Sequence, residues 1–223
     1  MSAKKAQGPK RSKHEALHQE GLAAYKDWDI ELAVEKLRAA TQADPDNADF
    51  HLDLARALSR GGDFDQALHA LANFLRLEPE SEVAERFEKL FASGLDKAEE
   101  LLTEKMTKAG MPLELTGAAM QMWLEYRIAI GRQPLPLRKP ETWAAALDYA
   151  VRKVNLYPTT QKDIGTIYHV SPNTLRDRFN DLVSTLDVMP CDYRYFIGKQ
   201  NPLDKLVEAA ELLEKLEERF REP

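Results

Sequence analysis

The sequence predicts an all-α fold in which a short solenoid of helical hairpins precedes a helical bundle. The first observation is an internal repeat, because positions within residues 14–81 recur 34 residues later. The second is that apolar residues in the rest of the chain follow the three- and four-residue spacing of helices. The third is that prolines and glycines stand between these segments, where they end helices. The recurring pairs are Ala33 and Ala67, Leu37 and Leu71, and Pro45 and Pro79.

Each repeat predicts two helices joined by a tight turn. In the first repeat we expect helices over about residues 14–26 and 30–43. Gly21 and Ala33 are small enough to let the two backbones approach closely. Pro45 ends the second helix, because proline cannot supply the next helical hydrogen bond and disfavours the helical region for the residue before it.

This period resembles the tetratricopeptide repeat, a helix-turn-helix unit of about 34 residues. The resemblance implies stacked units that leave a groove for a protein or peptide partner, lined by the first helix of each unit. The alternative is an ordinary pair of helical hairpins with accidental periodicity. The groove residues that the resemblance implies are Glu15, His18, Leu22, Tyr25, Asp49, Leu52, Arg56 and Ser59.

Two repeats need further helices to cover them, since about three are usually required for stability. Ser81 starts a new amphipathic segment with a helix N-cap signal. The apolar stripe then continues to about Lys108, as a degenerate repeat or a capping helix. We therefore expect residues 14–111 to form the repeat domain.

Residues 112–186 predict a second domain, a helical bundle. Apolar residues at helical spacing indicate helices over about residues 113–130 and 141–155. Gly131 and the prolines that follow it connect these two helices. After Pro158, the pattern predicts two more helices separated by a turn at His169.

Local sequence signals define that turn. Gly165 supplies the small residue at the closest crossing of the two helices. His169 stands where a positive φ is needed, and histidine is among the more tolerant non-glycine residues there. Ser171 and Pro172 are a favoured N-cap and first helical residue. Leu175 then holds the second helix on the core.

This stretch resembles a DNA-binding helix-turn-helix. With Trp143, Tyr149 and the segment 174–179, residues 113–186 also resemble the second cyclin-like repeat of transcription factor B proteins. The resemblance implies a small helical bundle that ends in a helix-turn-helix. The second helix of that motif would contact bases, and the start of its first helix would contact phosphates. The nucleic-acid contacts that it implies are Gln161, Lys162, Asn173, Thr174, Arg176 and Arg178.

The charge of the bundle leaves an alternative open. Residues 112–186 hold nine basic and seven acidic side chains, whereas nucleic-acid binding normally shows a clearer basic surface. Asp177 and Asp181 lie on or beside the expected DNA face, where they would repel phosphate. The alternative is an interaction adaptor in which both halves bind proteins and the bundle is a scaffold.

Charge is unevenly distributed along the chain, whose net charge is −6. Residues 1–13 carry five basic and no acidic side chains, and we expect this tail to be disordered. Residues 14–111 carry 11 basic and 21 acidic side chains, which argues against direct nucleic-acid contact by the repeats.

Residues 187–223 predict an aromatic linker followed by an amphipathic helix. The aromatic part, about residues 188–200, should pack across the bundle in extended form. Leu206, Leu213 and Phe220 are seven residues apart, which suits a coiled-coil seam. Docking on the chain's own bundle and homodimerisation are the two interpretations.

The sequence indicates binding rather than catalysis. It contains no phosphate-binding glycine loop and no hydrolase or metalloprotease motif, and we expect neither an enzyme nor a cofactor. His14 and His18 share a helix face without an evident third metal ligand. Cys191 is the single cysteine, which excludes an intrachain disulfide. No apolar run approaches a membrane span or a signal peptide, so the expected location is the cytoplasm.

Overall fold

The computed structural model describes residues 12–78, 80–91, 95–135, 137–204 and 207. Its regular structure over those residues is helical, which confirms the predicted all-α class. The chain divides into two compact units, Met1–Ser93 and Gly94–Pro223. The helices are α1 (Lys13–Lys26), α2 (Ile30–Ala43), α3 (Ala48–Arg60), α4 (Phe64–Leu77), α5 (Ser81–Phe91), α6 (Lys97–Lys108), α7 (Leu113–Ala129), α8 (Pro140–Val154), α9 (Gln161–Tyr168) and α10 (Pro172–Leu186).

The first unit is built from two helical hairpins. α1 packs against α2, α3 packs against α4, and α2 joins the two hairpins by packing against α3. Ala33 and Ala67 are completely buried. A Cβ placed on Gly21 would lie 2.6 Å from Cγ of Leu37, so the two backbones approach as closely as predicted.

The inner turns of the two hairpins show the same period in their backbone. Trp28 and Gly62, which are 34 residues apart, both have a positive φ, of 62° and 83° respectively. The next residues, Asp29 and Asp63, each cap the following helix by accepting a hydrogen bond of 3.1 Å from a backbone N–H. The repeat is therefore conformational as well as compositional.

Helix α5 covers the end of the second hairpin. It packs against α4, and Val83 and Phe87 are buried. The rings of Phe74 and Phe87 meet edge to face, with centroids 5.4 Å apart. Phe74 stands where the first repeat has the small residue Ala40, and the contact with Phe87 explains that difference.

Replacing Ala67 by leucine is expected to lower the free energy of unfolding of the first unit by about 1–3 kcal/mol. The side chain is completely buried where α3 and α4 cross, so the added atoms must displace their neighbours. Chemical denaturation followed by circular dichroism measures the change. Ala72→Leu is the matched control, because Ala72 lies on the exposed face of the same helix. Equal stability of the two variants would contradict the repeat register.

The boundary between the units differs from the expected one near residue 111. The apolar stripe beyond Ser81 forms two helices rather than one, because Asp96 caps a new helix, α6, through the N–H groups of Ala98 and Glu99. Leu102 and Met106 of α6 are completely buried in the core of the second unit. Helix α6 therefore packs with the bundle, on α8 and α7.

Helix α8 lies at the centre of the second unit. It packs against α6, α7, α9 and α10. Trp143 of α8 is completely buried and contacts the rings of Trp123 and Tyr126 at centroid distances of 5.3 and 5.0 Å. Ala144, Ala145 and Ala146 of α8 have no exposed surface. Because alanine side chains are small, they allow the surrounding helices to approach α8 closely.

Residues 188–204 form turns that are fastened to the bundle. The side chain of Asn155 donates to the carbonyl oxygen of Tyr195 at 2.9 Å and accepts from the N–H of Ile197 at 2.8 Å. Asn201 donates to the carbonyl oxygen of Cys191 at 2.7 Å. The aromatic segment thus belongs to the second unit, in turns rather than the expected extended form. Residues 202–204 and 207 are helical, and the rest of the predicted C-terminal helix lies outside the described residues. Of the tail expected to be disordered, residues 1–13, Ser12 instead caps α1 and Lys13 begins it, and residues 1–11 lie outside the described residues.

Candidate functional site

The face formed by α1 and α3 carries a polar cluster at the predicted groove. Nε2 of His18 lies 2.8 Å from Oδ2 of Asp53, and Nη1 of Arg56 lies 2.7 Å from Oδ1 of the same carboxylate. Burial raises the pKa of Asp53, but the hydrogen bond from His18 and the charge of Arg56 outweigh it and hold the pKa below its usual value. Asp53 therefore links His18 and Arg56, two predicted groove residues, although Asp53 itself was not among the predicted ones.

The ring of His18 also covers Phe50, with ring centroids 4.5 Å apart. Since Asp53 carries the charge that offsets Arg56, this part of the face is a paired cluster rather than a cationic clamp. The spacing of the repeat could not reveal this pairing. It assigned Leu52 to the groove, and Asp53 is the next residue along the chain.

The other predicted groove residues have different surroundings. Glu15 closes the capping box of α1 with Ser12, and the ring of Tyr25 lies 4.2 Å from the guanidinium of Arg60. Leu22 is half-buried and Asp49 is exposed. Leu52 and Ser59 are only 3% and 1% exposed, so those two side chains are not accessible to a partner.

The first unit also carries two shallow cavities that the sequence did not predict. One, of about 340 Å³, is lined by residues of α2 and α3, and the other, of about 270 Å³, extends between α2 and α4. Arg38 borders both and donates from Nη2 to Oε1 of Gln66 at 2.7 Å. This contact ties α2 to α4 across the two hairpins.

The turn between α9 and α10 has the geometry that the sequence indicated. His169 is left-handed, with φ 54° and ψ 39°. A Cβ on Gly165 would lie 2.5 Å from the carbonyl oxygen of Val170, so only glycine fits without a backbone shift. The hydroxyl of Ser171 accepts from the N–H of Thr174 at 3.2 Å, and Leu175 is completely buried.

The predicted nucleic-acid contacts fall into two groups. Lys162, Asn173 and Arg176 are exposed, and Gln161 and Thr174 are half-exposed. Nη2 of Arg176 donates to Oδ1 of Asn173 at 3.2 Å, which keeps the two side chains together on the outer face of α10. The exposed Asp177 follows Arg176 on the same helix.

Arg178 has turned toward the bundle. Its guanidinium lies 4.7 Å from the ring centroid of Trp143, and Nη1 lies 3.7 Å from Oδ2 of Asp181. Asp181 also accepts a hydrogen bond of 3.1 Å from the hydroxyl of Tyr126. Both side chains are thus engaged in linking α10 to α7 and α8, which residue spacing along α10 alone could not show.

Two buried carboxylates hold the second unit together, and the sequence pattern predicted a role for neither of them. Asp148 is completely buried and accepts from Nε and Nη2 of Arg152, at 2.5 and 3.1 Å, and from the hydroxyl of Tyr168 at 3.1 Å. Burial, reinforced by the charge of Asp148, raises the pKa of Tyr168. The only sequence signal was the four-residue spacing of Asp148 and Arg152.

The second carboxylate fastens residues 188–204 to α7. Glu125 is 1% exposed and accepts from Nη1 of Arg194 and from the hydroxyl of Tyr195, both at 2.6 Å. Burial, again reinforced by the neighbouring carboxylate, raises the pKa of Tyr195. These contacts satisfy the carboxylate within the fold, which is the arrangement of a structural tie.

A further cavity, of about 360 Å³, opens on the surface of the second unit. Its walls come from the end of α8, the middle of α10 and residues 188–190. They are apolar apart from Lys153, and include Val154, Leu156, Phe179, Val183 and Met189.

Among the residues described, no helix combines the length and the apolar character that crossing a bilayer requires.

Together these features define a class of protein, an all-α chain that joins a solenoid of helical hairpins to a separate helical bundle. The family model of the tetratricopeptide repeat matches residues 24–85, which confirms that part of the prediction. The first unit is therefore a protein-interaction module. The resemblance of the second unit to cyclin-like repeats stays a prediction.

The chain is also similar to a curated relative, the uncharacterized protein YccF of Bacillus subtilis strain 168. The two are 31% identical over 127 residues, which is 56% of this chain. The matched region spans 35% of the length of the relative, about a third.

Proposed function

We propose that this chain is a regulatory protein whose repeats bind a protein partner while the α9–α10 pair binds DNA as a helix-turn-helix. The observation that carries the DNA proposal is the outer face of α10. Leu175 is buried on the opposite side of that helix, so Asn173 and Arg176 are directed outward together. Asparagine and arginine are the side chains that most often recognise adenine and guanine in the major groove.

The surroundings of α10 support the same arrangement. Lys162 is exposed in the first turn of α9, where a cation can contact phosphate and fix the orientation of the recognition helix. Thr174 is half-exposed and hydrogen-bonded to the hydroxyl of Ser171 at 2.8 Å, so the start of α10 is ordered before any ligand arrives. With so few cations on this face, we expect modest affinity and a shallow salt dependence, because the salt slope grows with the number of phosphates that the protein neutralises.

The alternative is an adaptor in which the bundle binds no DNA. The exposed carboxylate of Asp177 beside Arg176 favours it, because phosphate would be repelled there. The engagement of Arg178 with Trp143 favours it too, since it removes one cation from the expected contact set. Substitutions on the outer face of α10 distinguish the two functions.

Replacing Arg176 by alanine is expected to weaken DNA binding by about 1–3 kcal/mol if the guanidinium contacts a guanine. Asp177→Asn should strengthen non-specific binding, because it removes a negative charge beside phosphate. Fluorescence anisotropy of the full chain with labelled duplexes measures both. Arg76→Ala is the matched control, because Arg76 is exposed on α4 of the other unit. Under the adaptor function neither substitution on α10 has binding to alter, and a lowered melting temperature in Arg176→Ala would mean that its side chain is structural.

The partner of the repeats should be a partly apolar peptide. Tetratricopeptide repeats that hold the acidic C-termini of chaperones use lysine and asparagine at groove positions where this chain has His18 and Leu22, and Leu52, which was expected beside them, is buried. Here the nearby cation of Arg56 is already paired with Asp53. We therefore expect no binding of such an acidic peptide at micromolar concentrations. Calorimetric titration measures this, and micromolar binding would overturn the prediction.

A further inference from the structure

The apolar pocket of the second unit has an open mouth. Leu156 and Met189, which line it, are 59% and 48% exposed, while Val154 behind them is 2% exposed. Apolar surface left in water is unfavourable in proportion to its area. Contiguous apolar patches of this kind commonly mark a place where another segment binds.

The chain itself returns to the edge of this pocket. The N–H of Cys191 donates to the carbonyl oxygen of Val154 at 3.2 Å, directly after the pocket residue Pro190. Asn201 then donates to the carbonyl oxygen of Cys191 at 2.7 Å, and the hydroxyl of Tyr193 donates to the carboxylate of Asp204. Residues 201–204 are thereby held next to Cys191, the residue that follows the pocket residue Pro190.

The sequence that follows has the composition of a ligand for this pocket. Residues 208–223 contain six acidic and three basic side chains, and Leu213, Leu216 and Phe220 recur at the spacing of one helix face. The charged residue of the pocket lining is the exposed Lys153. A negatively charged segment with an apolar stripe therefore matches both the lining and the charge beside it.

We propose that residues 208–223, which lie outside the described residues, dock their apolar stripe in the pocket between α8, α10 and residues 188–190. Their attachment at Asn201 makes this an intramolecular association, in which the effective concentration reaches the millimolar range for short connections. Such docking covers Leu156 and Met189 and places the acidic side chains of the segment near Lys153. This inference is independent of the proposed DNA and peptide binding.

Amide hydrogen exchange of the full chain, resolved by mass spectrometry, tests the docking. Residues 208–223 of the wild type should exchange at least about tenfold more slowly than in Leu213→Glu, with the same rates when the protein concentration is raised. Lys153→Glu should also accelerate their exchange while leaving that of α8 unchanged, because Lys153 is exposed. Leu113→Glu is the control, since Leu113 is 81% exposed at the start of α7 and does not line the pocket.

Two results would overturn this assignment. One is an exchange rate of residues 208–223 that is the same in the wild type, Leu213→Glu and Lys153→Glu. The other is protection that increases with protein concentration, together with a dimer in light scattering. In that case the segment pairs with a second copy of the chain, as the seven-residue spacing of Leu206, Leu213 and Phe220 would allow.

Discussion

Asp148→Asn is expected to lower the free energy of unfolding of the second unit by about 3–5 kcal/mol. The substitution keeps the shape of the side chain but removes the charge that faces Arg152, which is itself 9% exposed. A buried guanidinium without a counter-charge loses far more than a surface ion pair would. Tyr168 would also exchange a charged acceptor for a neutral one. Denaturation followed by tryptophan fluorescence measures the loss, since Trp123 and Trp143 are buried in this unit.

Asp177→Asn is the matched control for stability. It makes the same chemical change on the exposed surface of α10, so it should leave the free energy of unfolding nearly unchanged. If Asp148→Asn were as stable as this control, Arg152 would have to find another partner or reach solvent. The buried cluster would then not be the tie between α8 and α9 that the distances indicate.

Glu125→Gln is expected to lower the free energy of unfolding by less, about 1–3 kcal/mol, and to loosen a different element. The loss is smaller because Arg194 keeps the carboxylate of Asp192 as a counter-charge. Glu125 is the common acceptor for Arg194 and Tyr195, so its charge fastens residues 188–204 to α7. Arg194 keeps a second carboxylate, Asp192, at 2.8 Å, which belongs to the same segment and cannot hold it on the bundle. The substitution should therefore release this segment before the helices unfold.

Limited proteolysis detects that release. The wild type should resist cleavage within residues 188–204, whereas Glu125→Gln should be cleaved there at concentrations of denaturant too low to unfold α7. Glu114→Gln is the control, because Glu114 is exposed on the same helix. Equal cleavage in both variants would contradict the role of Glu125. The segment would then be held by Asn155, by Gln121, which donates to the carbonyl oxygen of Arg194, and by the hydrogen bond from Arg194 to the carbonyl oxygen of Leu186.

The repeats could be predicted because their determinants are local and periodic. Small residues such as Gly21 and Ala33 are required wherever two helices cross closely, and their spacing is visible without a structure. The turn at His169 could be predicted for the same reason, since Ser171, Pro172 and Gly165 act within one turn of it. Helix ends over α1, α2 and α8 followed from caps and prolines within one residue.

The features that sequence reasoning missed depend on neighbours distant in the chain. Nothing near Asp96 indicates that Trp123 and Arg127 will donate to its carboxylate, at 2.9 and 3.1 Å, and so fasten the start of α6 to α7. Arg178 was expected to face outward. Its contact with Trp143 joins residues 35 positions apart, so the sequence near Arg178 does not reveal it. The pocket beside α8 was missed since its walls come from three separate segments.

Binding of the full chain to DNA across a range of salt concentrations tests the proposed function most directly. The full chain is required, because a fragment beginning at residue 112 would lack α6 and its buried residues Leu102 and Met106. We expect binding of mixed genomic duplexes at low salt, with affinity falling roughly tenfold or more between about 50 and about 200 mM salt. No binding at the lowest salt, by a chain whose circular dichroism shows it folded, would contradict the DNA-binding function and leave the adaptor.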